Sequence, residues 1–192
     1  MCPFIPSAAG EVLMVQAAPE KKPQTPAEFK TQQAELLKSL FERLTNADDE
    51  RTAKILEQAV WQVWLRSGSE TIDILMQQSI KAMNDQRPDV ALGILDAVVE
   101  LAPKYAEGWN KRATVLFTMR QFEASLRDID KVLDLEPRHF GALSGQGLIK
   151  RAQKDDKGAL EAYRRALDIH PFLTGARQAV KELREAVEGK GI

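Results

Sequence analysis

The side chains best suited to chemistry are few in this chain. The sequence contains one cysteine, Cys2, and two histidines, His139 and His170. A single cysteine can form neither an intrachain disulfide nor a thiolate metal site. Each histidine lies within two residues of a proline, Pro137 or Pro171, where a role in a turn is far more common than metal binding. We therefore predict no metal site and no cofactor.

Catalytic motifs are also missing from the sequence. It has no glycine-rich phosphate loop, no zinc-ligand spacing, and no serine or cysteine nucleophile with a suitable histidine. The many aspartates and glutamates fall on polar faces of predicted helices, where their ordinary role is solubility. These observations predict a protein that is not an enzyme.

Charge and hydropathy limit the possible partners. The chain has 27 Lys and Arg against 28 Asp and Glu, a net charge of −1, whereas nucleic-acid binding favours an excess of basic residues. No apolar run approaches the roughly 20 residues that a membrane-spanning helix needs. With 192 residues, 44% of them hydrophobic, the chain can form one domain with a substantial core. We expect no nucleic-acid partner and no membrane span.

A regular repeat organises the second half of the chain. Pro103, Pro137 and Pro171 recur at an even interval of about 34 residues, and other positions agree when the chain is aligned on this period. The agreeing columns are Leu75, Trp109 and Leu143; Ala91, Ser125 and Ala159; Leu95, Ile129 and Tyr163; and Val98, Val132 and Ala166. Self-similarity at this period indicates an array of helix–turn–helix units that bury their apolar faces against one another.

The array is predicted to contain three repeats, at about 69–103, 106–137 and 140–171. Polar breaks divide each repeat into two helices, and a proline ends each second helix because it cannot continue the helical hydrogen bonding. A final amphipathic helix at about 174–188 has one apolar stripe, as a terminal capping helix requires.

A helical hairpin at 25–68 is predicted to precede the array. Thr25 and Glu28 form a capping box for its first helix, and Asn46 or Asp48 can cap its second. The second helix is apolar on two sides because Trp61 and Leu65 project opposite its other apolar residues, so we place it between the first helix and the repeats. Its tryptophans are more readily explained by packing than by a ligand site. Residues 1–24 are predicted to be a disordered or extended lead.

Three glycines in one predicted helix are unusual. Each of Gly141, Gly145 and Gly147 costs about 1 kcal/mol relative to alanine there. Gly147 is in phase with the small residues Ser79 and Ala113 of the earlier repeats. Two explanations remain open for Gly141 and Gly145: either a partner's backbone approaches closely, or the helix is loosely packed.

The repeats resemble tetratricopeptide repeats over about residues 70–188. The resemblance is carried by bulky–small pairs such as Trp109 with Ala113 in the first helices. The second helices and turns match through the small, large, small and proline positions filled by Ala159, Tyr163, Ala166 and Pro171. It implies an all-α fold, an α-solenoid of three helix–turn–helix repeats with an N-terminal helical hairpin and a C-terminal capping helix.

Three stretches of the sequence, 105–110, 137–145 and the C-terminal residues, are similar to those of small tetratricopeptide proteins of alphaproteobacteria. Members of that group usually begin with an export signal, which implies a periplasmic location. The N-terminus here departs from that pattern, since Gly10 and Glu11 interrupt any apolar segment. A cytoplasmic location follows if the N-terminus is complete and unprocessed, and both locations stay open.

The resemblance also implies a function, which is binding of a protein or peptide in the concave groove lined by the first helix of each repeat. By the family's register, the groove residues are Met76, Ile80, Met83, Glu107, Asn110, Thr114, Phe117, Ser144, Leu148 and Arg151. Asn110 could bracket a peptide amide, and methionines suit an adaptable floor. Some of these side chains could instead contact the hairpin or the capping helix.

One family function is not expected. Family members that bind chaperone tails clamp a terminal carboxylate, but the matching positions here include Met76, Ile80, Gly141 and Gly145, whose side chains cannot hold it. We predict a non-catalytic scaffold that is a monomer or a weak homodimer. The alternative is a structural subunit that self-assembles through the N-terminal hairpin around Trp61 and Leu65.

Overall fold

The computed structural model describes residues 25–187 and 189, and the predicted lead at 1–24 lies outside them. The described residues form helices and turns without strands. The helices are α1 Pro26–Thr45, α2 Glu50–Trp64, α3 Glu70–Asn84, α4 Pro88–Leu101, α5 Ala106–Thr118, α6 Phe122–Leu135, α7 Phe140–Ala152, α8 Asp156–Ile169 and α9 Thr174–Val187. The prediction of an all-α solenoid is confirmed.

The first two helices begin at side-chain caps. Thr25 accepts a hydrogen bond from the Glu28 backbone, and the Glu28 carboxylate accepts one from the Thr25 backbone, so the predicted capping box forms. The N-cap of α2 is Asp49, which accepts from the Thr52 backbone, instead of the predicted Asn46 or Asp48. Asp49 fits because its extended backbone directs its carboxylate toward the free N–H groups of the first turn.

Each repeat is a pair of antiparallel helices: α3 with α4, α5 with α6, and α7 with α8. The three predicted columns of the second helices are all buried, which accounts for their recurrence once in every repeat. In the third repeat a Cβ at Gly147 would stand 2.7 Å from the Tyr163 ring, so only glycine fits at this helix crossing. In the first-helix column, by contrast, Trp109 is only half-buried, and its indole N–H donates to the Pro103 carbonyl at 3.0 Å.

The turns inside the repeats share one backbone conformation. Gln86, Arg120 and Lys154 occupy the same position in successive repeats, with φ values of 57°, 60° and 63°. This left-handed region disfavours side chains, and a glycine there would be unstrained. The recurrence of the conformation in three different sequences shows that the geometry of the helix pair imposes it.

The helix α9 closes the C-terminal end of the array. Ala176, Ala179 and Leu183 are buried against Ala159 and Leu160 of α8 in one apolar cluster. None of the helices in the described part of the chain is long and apolar enough to cross a membrane.

The hairpin α1–α2 does not stack on the first repeat as a further repeat would. Its buried residues share one cluster with Phe140, Leu143 and Ala166, which belong to the third repeat. The Thr45 hydroxyl donates to the carbonyl of Ile169 at 3.1 Å. The hairpin therefore crosses the array and reaches its C-terminal end.

Candidate functional site

The predicted groove residues fall into rows because the first helices α3, α5 and α7 follow one another at the repeat period. Equivalent positions form the rows Met76, Asn110 and Ser144; Ile80, Thr114 and Leu148; and Met83, Phe117 and Arg151. A further row, one turn closer to the helix N-termini, consists of Asp73, Glu107 and Gly141. We call these rows the 76, 80, 83 and 73 rows, after their first members.

The 80 row is the most accessible part of this surface. Leu148 is 48% exposed although it is a large apolar residue, and Thr114 is also exposed. The Thr114 hydroxyl donates to the Asn110 carbonyl within its own helix, so the methyl group is the part of this side chain that a partner can contact. Ile80 is half-buried.

The 83 row is partly used by contacts within the chain. Met83 packs against the core of the first repeat, and the Phe117 ring lies 5.7 Å from the Phe122 ring. Arg151 pairs with Glu182 of α9 at 3.1 Å, with both side chains more than a third exposed. An exposed ion pair of this kind contributes little to stability and leaves the guanidinium able to exchange partners.

The 76 row is largely closed. Met76 is 2% exposed and belongs to the core of the first repeat, so it cannot form the adaptable floor that the sequence suggested. Its burial follows from the packing of α3 against α4, where Met76 shares a cluster with Ala91 and Leu95. Asn110 is 8% exposed and donates to Glu107. Ser144 is half-buried, and its hydroxyl has no hydrogen-bond partner in the described part of the chain.

Glu107, another predicted groove residue, is at the centre of a buried polar network. Its carboxylate lies 3.1 Å from Nε2 of His139 and 2.9 Å from the Asn110 amide, and its other oxygen lies 3.0 Å from Lys111 Nζ. Burial disfavours the charged form of Glu107, but the hydrogen bond from His139 and the charge of Lys111 outweigh it, so the pKa lies below its ordinary value. Glu107 is therefore structural in this arrangement and does not face the groove.

His139 connects this network to the hairpin. Its Nδ1 accepts a hydrogen bond from the Ala142 backbone, which caps α7, so the ring proton lies on Nε2 and is donated to Glu107. The imidazole stacks on the indole of Trp64 with centroids 4.0 Å apart and planes 4° from parallel. The predicted turn role of His139 is thus a cap, and the stacking on α2 adds a contact between hairpin and array.

The other histidine makes an equivalent contact further along the hairpin. His170 Nε2 lies 3.2 Å from the Glu57 carboxylate of α2. This hydrogen bond is the largest cause of a lowered pKa at Glu57, and it outweighs the opposing effect of burial. Neither histidine belongs to a group of three possible metal ligands in the part of the chain that the structure describes.

The tryptophan Trp61 accounts for one of the unexplained glycines. A Cβ at Gly141 would stand 2.7 Å from Cη2 of Trp61, closer than carbon atoms pack, whereas a Cβ at Gly145 would meet only Ile129 at an ordinary 3.5 Å. The absence of a side chain at Gly141 thus makes room for Trp61 of the chain's own hairpin, an explanation that the sequence did not suggest. Lys111 Nζ lies 5.5 Å from the Trp61 ring on the same surface.

These contacts show what the hairpin does to the concave surface. It covers the 73 row, where Glu107 and Gly141 lie under α2 and Asp73 accepts hydrogen bonds from Ser67 in the link to α3. Among the described residues, the 80 and 83 rows, nearer the C-terminal ends of the same helices, make no such contacts with the hairpin. The contact that was not predicted is the one between the tryptophans of α2 and His139. Its signal in the sequence was Gly141, whose missing Cβ leaves room for the Trp61 ring.

Comparison with known proteins agrees with this architecture. A family model described as "Tetratricopeptide repeat" matches residues 110–174. A TPR repeat-containing protein of Rhizobium etli is 41% identical over 153 residues, which are 80% of this chain and 75% of that protein.

Solved structures show the same fold. The first TPR domain of Spaghetti (RPAP3), bound to an HSP90 peptide, has a TM-score of 0.60 at 19% identity and covers 62% of this chain and 95% of that one. The crystal structure of MamA protein has a TM-score of 0.58 at 18% identity and covers 85% of both chains. With the identity to the Rhizobium protein extending over most of both sequences, the chain belongs to the tetratricopeptide repeat family.

Proposed function

We propose that this protein is a non-catalytic scaffold that binds a protein or peptide partner along the open half of its concave surface, formed by the 80 and 83 rows. The observation that carries the proposal is the exposure of Leu148 beside Thr114, on first helices whose N-terminal halves are covered. Contiguous apolar surface is typical of interaction sites, and these rows supply it through exposed Leu148 and half-buried Ile80 and Phe117.

The chemistry of the open rows suits an extended peptide. Ile80, Leu148 and Phe117 offer apolar contacts, while Arg151 can pair with an acidic side chain after exchanging its partner Glu182. Glu107 and Asn110 are held inside the polar network. Side-chain packing at the 80 and 83 rows would therefore contribute more to the binding free energy than hydrogen bonds from Asn110 to a peptide amide. This surface is shorter than the one expected from the family register.

Related structures support peptide binding as the general mode. The first TPR domain of RPAP3 is bound to the HSP90 peptide SRMEEVD, and the second to the HSP70 peptide SGPTIEEVD. For this chain we propose binding of a different class of peptide. A clamp on a terminal carboxylate is not available at Met76, which is buried, or at Gly141, which lies against Trp61.

Self-assembly through the hairpin is the alternative. The surface that suggested it, around Trp61 and Leu65, makes contacts with the repeats of the same chain. Trp61 packs on Phe140 with ring centroids 5.5 Å apart, and the carbonyl of Leu65 accepts a hydrogen bond from Tyr105. Ile55 and Leu36 remain exposed on the hairpin. A monomer or weak dimer by light scattering across a concentration series supports the scaffold, whereas a stable larger oligomer favours assembly.

A capture experiment tests the binding proposal. The wild-type chain, Leu148→Glu and Leu101→Glu serve as baits in native extract. Leu101 is the matched control because it is also an exposed leucine, at 66%, but lies at the end of α4, a second helix. We expect a partner that is retained by wild type and Leu101→Glu and lost from Leu148→Glu. Equal retention by all three baits would place the binding site elsewhere.

A further inference from the structure

A cleft of about 500 Å³ lies between the hairpin and the repeats, away from the open half of the groove. One wall is α1, and the other consists of the two inter-repeat turns that precede α5 and α7. Its volume lies within the range of small-molecule sites, which commonly form where two structural units meet. The cleft is bordered by two contacts of the hairpin with the array: the stacking of Trp64 on His139, and the Arg138 guanidinium over the Phe41 ring of α1.

The walls of the cleft are mostly apolar. Leu37, Trp64, Ala106, Leu135 and Pro137 line it together with the ring of Tyr105. The Tyr105 hydroxyl is already used, since it donates to the Leu65 carbonyl at 3.0 Å. Gln33 also lines the cleft, and its amide nitrogen already donates to the carbonyls of Val63 and Arg66. A ligand in the cleft would therefore bury an apolar body and find few neutral hydrogen-bond donors free.

The charged groups at the cleft are predominantly basic. Lys30 of α1 and Lys104 of the turn before α5 are both exposed, and neither forms an ion pair within the described part of the chain. Arg138 also lines the cleft and is held by Glu136 at 2.8 Å. The charge of the remaining acid, Glu107, is balanced by Lys111, and its side chain is buried. Two uncompensated cations from separate elements therefore face a single cleft.

A second, independent observation concerns Trp64. Its Nε1–H is buried and has no hydrogen-bond acceptor in the described part of the chain. An unsatisfied buried donor costs about 1–3 kcal/mol. Because Nε1 is closed to solvent, a ligand in the cleft packs on the ring and does not reach this N–H, whose NMR signal still reports a change around the ring.

From these observations we propose that the cleft binds a small organic acid, a carboxylate attached to an aromatic or branched apolar body. The carboxylate lies between Lys30 and Lys104, and the body packs on Leu37, Trp64 and Tyr105. The same chemistry is present in a free acid and in the C-terminal residue of a peptide. Because the cleft is separate from the 80 and 83 rows, this proposal does not depend on the groove proposal.

Three probes test the proposal by titration into the intact protein, with the indole N–H signal of Trp64 followed by NMR. They are 3-phenylpropionate as a free acid, N-acetylphenylalanine as a C-terminal residue, and N-acetylphenylalaninamide as its uncharged match. We expect a saturable shift by at least one acid at about 1 mM or below and none by the amide. Tighter binding of 3-phenylpropionate identifies a free acid, and tighter binding of N-acetylphenylalanine a peptide terminus.

Charge variants complete the test. Lys30→Met and Lys104→Met should each weaken acid binding by about fivefold or more. Lys81→Met is the matched control because Lys81 is an exposed lysine on α3 that pairs with Asp85. Both lysines of the cleft are exposed, so these variants should fold as wild type does. Equal binding of acid and amide, no saturable shift by either acid, or unchanged affinity in both cleft variants would each overturn the proposal.

Discussion

Gly141 lies against the edge of the Trp61 indole, so that a methyl group added at position 141 would stand 2.7 Å from Cη2. The ring has little freedom to retreat, because Trp64, His139 and Phe140 surround it with centroids 5.2 to 5.5 Å away. The contact joins α2 to α7 and fixes how much of the concave surface the hairpin covers.

Substitution of this glycine should therefore destabilise the protein. Alanine favours a helix over glycine by about 1 kcal/mol, but overpacking against a fixed ring costs about 1–3 kcal/mol. We expect Gly141→Ala to lower the free energy of unfolding in urea. Gly145→Ala is the control, since its Cβ would make only an ordinary contact at 3.5 Å, and it should raise stability by up to about 1 kcal/mol. Equal stabilisation by both variants would mean that Trp61 does not occupy the position described.

The network around Glu107 should make stability depend on pH. The folded-state pKa of this carboxyl is below its ordinary value, with burial outweighed by His139 and Lys111. Its contribution is then fully present above the ordinary carboxyl pKa of about 4.5 and is lost as the pH falls through the lower folded pKa. We expect wild type to exceed Glu107→Gln in unfolding free energy at neutral pH, and this difference to shrink on acidification. A difference that widens in acid would contradict the assignment.

An ion-pair network between repeats gives a third prediction. Arg112 makes two hydrogen bonds of 2.7 Å to the buried carboxylate of Asp128 and a third of 2.9 Å to Asp96. Arg112→Met should cost about 2–3 kcal/mol, less than for a fully buried pair because the guanidinium is 21% exposed. The double variant Arg112→Met, Asp128→Leu should be more stable than the single one, since it leaves no uncompensated carboxylate.

The exposed pair of Lys81 and Asp85 is the control for that measurement. It lies on the helix surface, and Lys81→Met should change the unfolding free energy by at most about 0.5 kcal/mol. If Arg112→Met lowered the unfolding free energy no more than Lys81→Met does, the Arg112 network would not contribute to stability.

The repeats could be predicted from sequence because their signals are periodic. The columns containing Ala91, Leu95 and Val98 recur in every repeat, and each repeat contacts its neighbours in the same way. Local chemistry likewise predicted the capping box at Thr25. Position and residue type were sufficient for these repeated or short-range contacts, although they misplaced the N-cap of α2, which is Asp49 instead of Asn46 or Asp48.

The docking of the hairpin could not be predicted in the same way. Thr45 and Ile169 are 124 residues apart, and the stacking of Trp64 on His139 occurs once, so no period reveals either. The register placed Glu107 in the groove because it could not show that α2 covers that row. Two features did carry information, namely the two-sided apolar character of α2 and an unexplained glycine at 141, but neither specifies its partner.

Binding of a partner to the open half of the concave surface is tested most directly by site-specific photo-crosslinking. Benzoylphenylalanine would replace Leu148, exposed in the 80 row, or Leu101, exposed on α4, in otherwise intact protein, and the partner recovered in the capture experiment would be added before irradiation. We predict a crosslinked complex from position 148 and none from position 101, with both proteins melting as wild type does. Crosslinking from position 101 but not from 148 would contradict binding at the 80 and 83 rows.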